Sequence, residues 1–336
     1  MKNPTKQSNT MKKFRYPLLF AVSVLALLLY SCSAENPGAT SAFKGLQQDA
    51  LNSITQNFHF NANVGEIVLT SAKGVTIFFD SNSFTLNGNP VTGQIDLKFI
   101  EIFDDATMLT TGMHTMGLMP DGKHAVMSSA GEFYINATKN GHQLELTNEI
   151  QLVFSSSLTD NVGGNPDMTL WNFTEEDTVW APEQDIAIGT GGVILGNEEF
   201  PNGTNNHHYH AYVDHFGWTN VDCFYNDPRP KTTILASVPE GYNNENSAIY
   251  LHYDGQGNAL ALLDTYDSET ALFSEHYGQI PIGLVCHVIF VTEDNGQWRY
   301  AIKPATITAG AVHSFTLGET TTGTEAQLTA AITALP

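Results

Sequence analysis

From residue 58 onward apolar residues alternate with polar ones or gather in short blocks, and Asn-Gly, Asp-Gly or a lone Gly separates one block from the next. Period-two alternation bounded by turn residues predicts strands. The first series covers 58–60, 67–69, 75–79, 94–102, 132–137, 144–146 and 150–154, so residues 58–155 read as one β-sandwich. Residues 156–207 break the rhythm with 155–167, the Trp-bearing stretch to Trp180 and Gly189 to Gly192, and read as a connector. A second series, from about Tyr209 through 232–238, 248–253, 259–263, 284–291, 298–303 and 314–317, predicts a second sandwich over 208–318. Helical spacing occurs at the two ends. Phe43, Leu46, Ala50, Leu51 and Ile54 predict a short helix within 32–57, and Thr322 with Glu325 has capping-box spacing ahead of a terminal helix within 319–336. The expected class is all-β, two sandwich lobes with a short helix at each end.

The pattern before residue 41 is of another kind. Lys2, Lys6, Lys12, Lys13 and Arg15 precede the unbroken apolar stretch Pro17 to Tyr30, and no acidic residue occurs before Glu35. A basic segment followed by an apolar one too short for a comfortable membrane span is the order of a secretory signal peptide, here residues 1–31. Leu29-Tyr30-Ser31-Cys32 resembles a bacterial lipobox, which makes Cys32 the residue to be acylated, with palmitate-type chains. Two or three such chains anchor a protein durably, because each buried CH₂ contributes about 0.8 kcal/mol. Ser33 to Thr40 is small, polar and Pro/Gly-containing, and reads as a tether.

Charge narrows the partners. The chain has 14 Lys+Arg against 35 Asp+Glu, a net −21, and only 15% charged residues where about 25% is usual. Removing residues 1–31 takes five cations and no acid, leaving 9 against 35 and a net −26. Such a surface repels phosphate backbones, so nucleic acid is excluded as a partner. The expected location is the cell envelope, lipid-anchored to the outer membrane and facing the periplasm or the cell surface.

Gly74-Val75-Thr76-Ile77-Phe78-Phe79, Ser83-Phe84, Val91-Thr92-Gly93-Gln94-Ile95 and Glu101-Ile102 resemble a ZU5-type, immunoglobulin-like sandwich pattern, with Phe78-Phe79-Asp80 where Ile-Pro is usual. With His114-Thr115-Met116, Ser128 to Ile135 and Phe216 to Cys223, the chain resembles Bacteroidetes lipoproteins of unassigned function whose second half carries Gly-Trp-x-Asn-x-Asp. The resemblance implies a fold and no reaction. Self-cleavage, known in some such sandwiches, is not implied: His59-Phe60-Asn61, His215-Phe216-Gly217 and His313-Ser314-Phe315 lack a nucleophile after a His-apolar pair.

The residues offer a few chemical candidates. His207, His208 and His210, with Asp214 and His215 behind them, are the densest set of metal-ligating types; His208 and His210 would share one face of a strand and suit Zn²⁺, and a solvated His-rich loop is the plainer alternative. Trp218, Asn220 and Asp222 combine an aromatic face with polar groups, as glycan and peptide sites do, or else plug a seam. Asp80, Asn82, Asn87 and Asn89, and Asp160, Asn161, Asn165 and Asp167, supply oxygens to Ca²⁺ or form Asx turns. Cys223 and Cys286 make one disulfide or two buried thiols. No His-Glu-x-x-His, Gly-x-Ser-x-Gly or phosphate-loop string occurs with the flanks it needs, so no catalytic residue is assigned. The expected function is a membrane-anchored, non-enzymatic binding or structural module meeting a protein or glycan. The alternatives are a glycan-binding surface lipoprotein and a metal-dependent hydrolase built on His207 to Asp222.

Overall fold

Along the strand His124–Lys139, neighbouring side chains leave for opposite cores: Phe133, Ile135 and Ala137 enter one, Val126, Met127 and Tyr134 the other. The computed structural model describes residues 41–159, 163–174, 178–183, 192–199, 205–256 and 258–336. The expected signal peptide, Cys32 and the expected tether lie outside these residues, as do Asp160, Asn161 and the stretch 189–191.

The double-faced strand sits in a central sheet ordered Gln56–Asn61, Gln94–Ile102, His124–Lys139, Gly217–Phe224, Thr169–Thr174, Val179–Pro182 and Met116–Leu118. Met116–Leu118 also pairs back onto His124–Val126, which closes that end of the sheet on itself. A five-stranded sheet covers one face: Gly192–Glu199, Asn205–Val213, Ile150–Ser155, Thr76–Asp80 and Glu66–Thr70. Between them lies a core of Phe99, Phe133, Ile77, Phe154 and Tyr209. Against the other face lie a four-stranded sheet (Thr265–Asp267, Leu272–Pro281, Lys231–Ser237, Val312–Ser314), a five-stranded one (Leu260–Leu262, Ser247–Tyr253, Val285–Asp294, Gln297–Thr306, Thr321–Gly323) and the helices. A sheet covered on both faces needs apolar residues on both, and Gln94–Ile102 shows it: Leu97 and Phe99 enter the first core, Ile100 and Ile102 the second.

The all-β class with a small helix at each end is what the structure has. Three details differ from expectation. Strands Asn205–Val213 and Gly217–Phe224, assigned to the start of a second sandwich, pair instead with Ile150–Ser155 and His124–Lys139. The connector is not a linker either: Thr169–Thr174 and Val179–Pro182 extend the central sheet, because Trp171 and Trp180 are almost fully buried there. Their indoles donate to Asp222 O at 3.0 Å and His114 O at 2.7 Å. Burying a Trp of roughly 150–250 Å² at about 25 cal/mol per Å² contributes on the order of 4–6 kcal/mol, more than a loop can forgo. The terminal capping box is Thr324 with Gln327, two residues beyond the expected one, since Thr321–Gly323 is already paired to Trp298–Tyr300.

Candidate functional site

Strand Gly217–Phe224 delivers Trp218, Asn220 and Asp222 to the second core, not to solvent; they are 4%, 0% and 0% exposed. The expected ligand platform is therefore corrected to an internal polar network. Ser129 Oγ donates to Asn220 Oδ1 at 2.9 Å, and Asn220 Nδ2 donates to Asp222 Oδ2 at 2.7 Å. A one-residue bulge brings this about: Val221 opposes Gly131, Asp222 opposes Ser129, and Ala130 is passed over. Glu132 pairs with Asn220 in register and is also fully buried, and neither of its carboxylate oxygens has a hydrogen-bond partner among the described residues. Burial, then the negative charges of Asp222 and Asp105, pushes its pKa far up. Burial does the same to Asp222 against the opposing bonds from Ser129 and Asn220. For both carboxyls burial favours the protonated form over two ions side by side.

Below this network runs a chain of alternating acids and imidazoles. Asp105 Oδ2 lies 2.7 Å from His252 Nδ1, His252 Nε2 lies 4.0 Å from Asp254, and Asp254 lies 2.7 Å from His287 Nδ1. Burial lowers the His252 pKa, but the bond and charge of Asp105 outweigh it and the net shift is upward. Asp104 caps the short helix Asp105–Thr111, accepting from Thr107 N, and Gly112 closes it in the left-handed region. A cleft of about 270 Å³ opens here among Asp104, Asp105, His252, Asn258, Ile332 and Leu335.

A second polar cluster lies where His124 meets strand Leu272–Pro281. Asp264 lies 3.5 Å from His124 and 3.2 Å from His276, and Tyr277 Oη lies 3.4 Å from His124 Nε2. Glu275 beside them is fully buried; burial raises its pKa to about 7 although the backbone N–H groups of Tyr277, Gly278 and Gln279 donate to it.

The histidines separate. His207, His208 and His210 lie on Asn205–Val213 and, among the described residues, do not converge with a carboxylate; His210 Nδ1 meets Gln151 Nε2 at 3.2 Å. The expected zinc trio is corrected on that ground, because strand geometry turns His207 away from the other two. Asp214 and His215, in the following turn, do converge, with Glu183. Burial, then the charge of Asp214, raises the pKa of Glu149.

Cys223 and Cys286 are free thiols. A disulfide is ruled out by placement, since Cys223 packs on the first core and accepts from Asn165 Nδ2 at 3.1 Å, while Cys286 is buried in the second. The described members of the calcium candidates act as turn residues: Asp80 accepts from Asn82 N, Asn165 from Asp167 N, and Asn87 takes φ +52°.

Sequence reasoning missed Glu132, Asp105, His252, Glu275 and Glu183. Glu132 had a readable signal, a lone acid inside Phe133-Tyr134-Ile135 and its flanks; Glu183, after Pro182 and far from the turn it meets, had none. No family model matches the chain, and comparison with curated proteins and with solved structures finds no match.

Proposed function

We propose that the protein is an envelope lipoprotein, fatty-acylated at Cys32, whose all-β body is a non-enzymatic binding or structural module for an extracellular or periplasmic protein or glycan. The observation that carries the reading is the order of cations, apolar stretch and Leu29-Tyr30-Ser31-Cys32 directly ahead of a compact strand-rich body. Two cores that share one sheet support it as well, since a rigid scaffold holds loops in fixed positions for a partner. The acids with the largest shifts, Glu132 and Asp222, are sealed in the interior and favour a structural use of these groups over contact with a substrate. The likeness to Bacteroidetes lipoproteins with a ZU5-like sandwich belongs to the same reading, as does attachment to the outer membrane.

The test is metabolic labelling with a fatty acid in a bacterial host, followed by a glycan, peptide and protein binding screen. The native chain takes up label and Cys32→Ser does not, remaining as precursor or released. Equal labelling of Cys32→Ser sinks the anchor, and turnover of a screened compound by the native chain sinks the non-enzymatic half.

A further inference from the structure

The turn between Val213 and Gly217 carries the chain from the outer five-stranded sheet into the central sheet, and it gathers acids around one imidazole. The turn is held firmly. Phe216 stacks on buried Phe84, ring centroids 6.1 Å apart and 9° from parallel, and Gly217 leaves at φ +117°. Glu183 follows the end of strand Val179–Pro182 in the central sheet. Its N–H donates to Leu170 O at 3.1 Å, and Asn172 Nδ2 donates to its carboxylate. His215 Nδ1 then lies 3.0 Å from Asp214 Oδ1 and 3.9 Å from Glu183 Oε2, and one ligand atom from each of the three lies within 4.8 Å of the others.

Two further observations ask for a cation at this point. Ile150 pairs with Val213, so Glu149 and Asp214 are the next positions beyond that rung, and like charges set opposite each other at strand ends destabilise the pairing. The His215 ring is also oriented from behind: Nε2 lies 3.3 Å from Oγ1 of buried Thr219. A donor–acceptor contact on the far ring nitrogen is how metal-bound imidazoles are commonly fixed, with the near nitrogen turned to the ion. Here the near nitrogen faces two carboxylates at once, Asp214 at 3.0 Å and Glu183 at 3.9 Å, a donor set that a metal ion can share.

We infer that Glu183, Asp214 and His215 bind one divalent transition-metal ion of the zinc class, with Glu149 adding negative charge from the opposite strand end. One imidazole nitrogen with carboxylate oxygens is a zinc-type donor set, whereas Ca²⁺ takes six to eight oxygens. Asp214 is half-exposed and His215 about one-third exposed, so an ion reaches the site from solvent without opening either core. Bound there, it joins the end of strand Val179–Pro182 to the turn that enters the central sheet.

Calorimetric titration of the metal-stripped full chain with Zn²⁺ and, separately, Ca²⁺ tests this, with melting curves on the same samples. One Zn²⁺ per chain binds, Zn²⁺ raises the melting temperature, and Ca²⁺ binds at least tenfold more weakly. Asp214→Asn and His215→Ala each weaken Zn²⁺ at least tenfold, while His208→Ala stays within twofold of the native chain. Asp214→Asn is a near-isosteric change at a half-exposed position, so it decides the matter if His215→Ala melts early in the metal-free state. The site is overturned by a native chain that binds no stoichiometric Zn²⁺, by Ca²⁺ bound as tightly as Zn²⁺, by Asp214→Asn binding within twofold of native, or by loss that follows His208→Ala instead.

Discussion

Trp218 and Tyr134 face each other across two hydrogen-bonded strands, directly paired in register, with ring centroids 5.4 Å apart and planes at 57°. The pair lies on the face of the central sheet turned to the second core, and Trp218 is only 4% exposed. It therefore joins sheet layers and does not contact a ligand from solution. Aromatic pairs of this geometry add about 0.5–1.5 kcal/mol beyond the area they bury.

Trp218→Ala is accordingly expected to cost about 3–5 kcal/mol and to lower the melting temperature by many degrees. Thermal unfolding followed by circular dichroism reads this directly. A variant that melts with the native protein would place the indole outside the packed core.

The titrating groups set the direction of pH dependence. Glu132, Asp222 and Glu275 are raised by burial, Glu275 to about 7, so above the unfolded value of 4.5 for the glutamates and 3.8 for Asp222 the unfolded chain ionises before the native chain does. Their contribution is complete at low pH and is lost as pH rises. His252, net raised by Asp105, acts in the same sense: its contribution is present below its unfolded value and lost as pH rises through the folded one. Asp227 and Glu319 work the other way. Arg229 and Lys303 hold each at about 2, so their contribution is present above the unfolded value and fades as pH falls toward 2. The melting temperature is thus expected to peak at roughly pH 4.5–6 and fall toward pH 8. Glu132→Gln keeps the shape without the ionisation, and should flatten that fall and stabilise the protein by about 1–3 kcal/mol at pH 8. A melting temperature that climbs steadily from pH 5 to pH 8 contradicts this account.

Gly131 makes the bulge that sets Asp222 opposite Ser129. Its φ is +151°, and a Cβ there would lie 2.7 Å from a Phe103 ring atom and 2.8 Å from one of Phe133. Gly131→Ala combines strain with overpacking and is expected to cost about 2–4 kcal/mol. Gly122→Ala is the control: φ is +82°, but nothing lies within 4 Å of the added methyl, so about 1 kcal/mol is expected. Urea denaturation of both variants compares them, and equal midpoints would remove the packing argument.

What local pattern dictates was readable in the chain. Alternation and turn residues placed strands such as 75–79, 94–102, 248–253 and 284–291 close to their observed positions, because strand periodicity is written into consecutive residues. The helix at 41–54 was readable for the same reason, and the motif at 29–32 is a property of the string itself. Sheet membership was not. Whether Gly217–Phe224 pairs with Lys231–Ser237 nearby or with His124–Lys139 about ninety residues earlier depends on which arrangement buries Trp171, Trp180 and Trp218 together, and that area is decided only when distant strands meet. The same holds for chemistry. Glu183 and His215 are separated by thirty-one residues of sequence that say nothing of their meeting, and Cys223 and Cys286 are kept apart because alternate residues of one sheet face two different cores. Periodicity fixes which side chains share a face; only the closed arrangement of layers decides what each face meets.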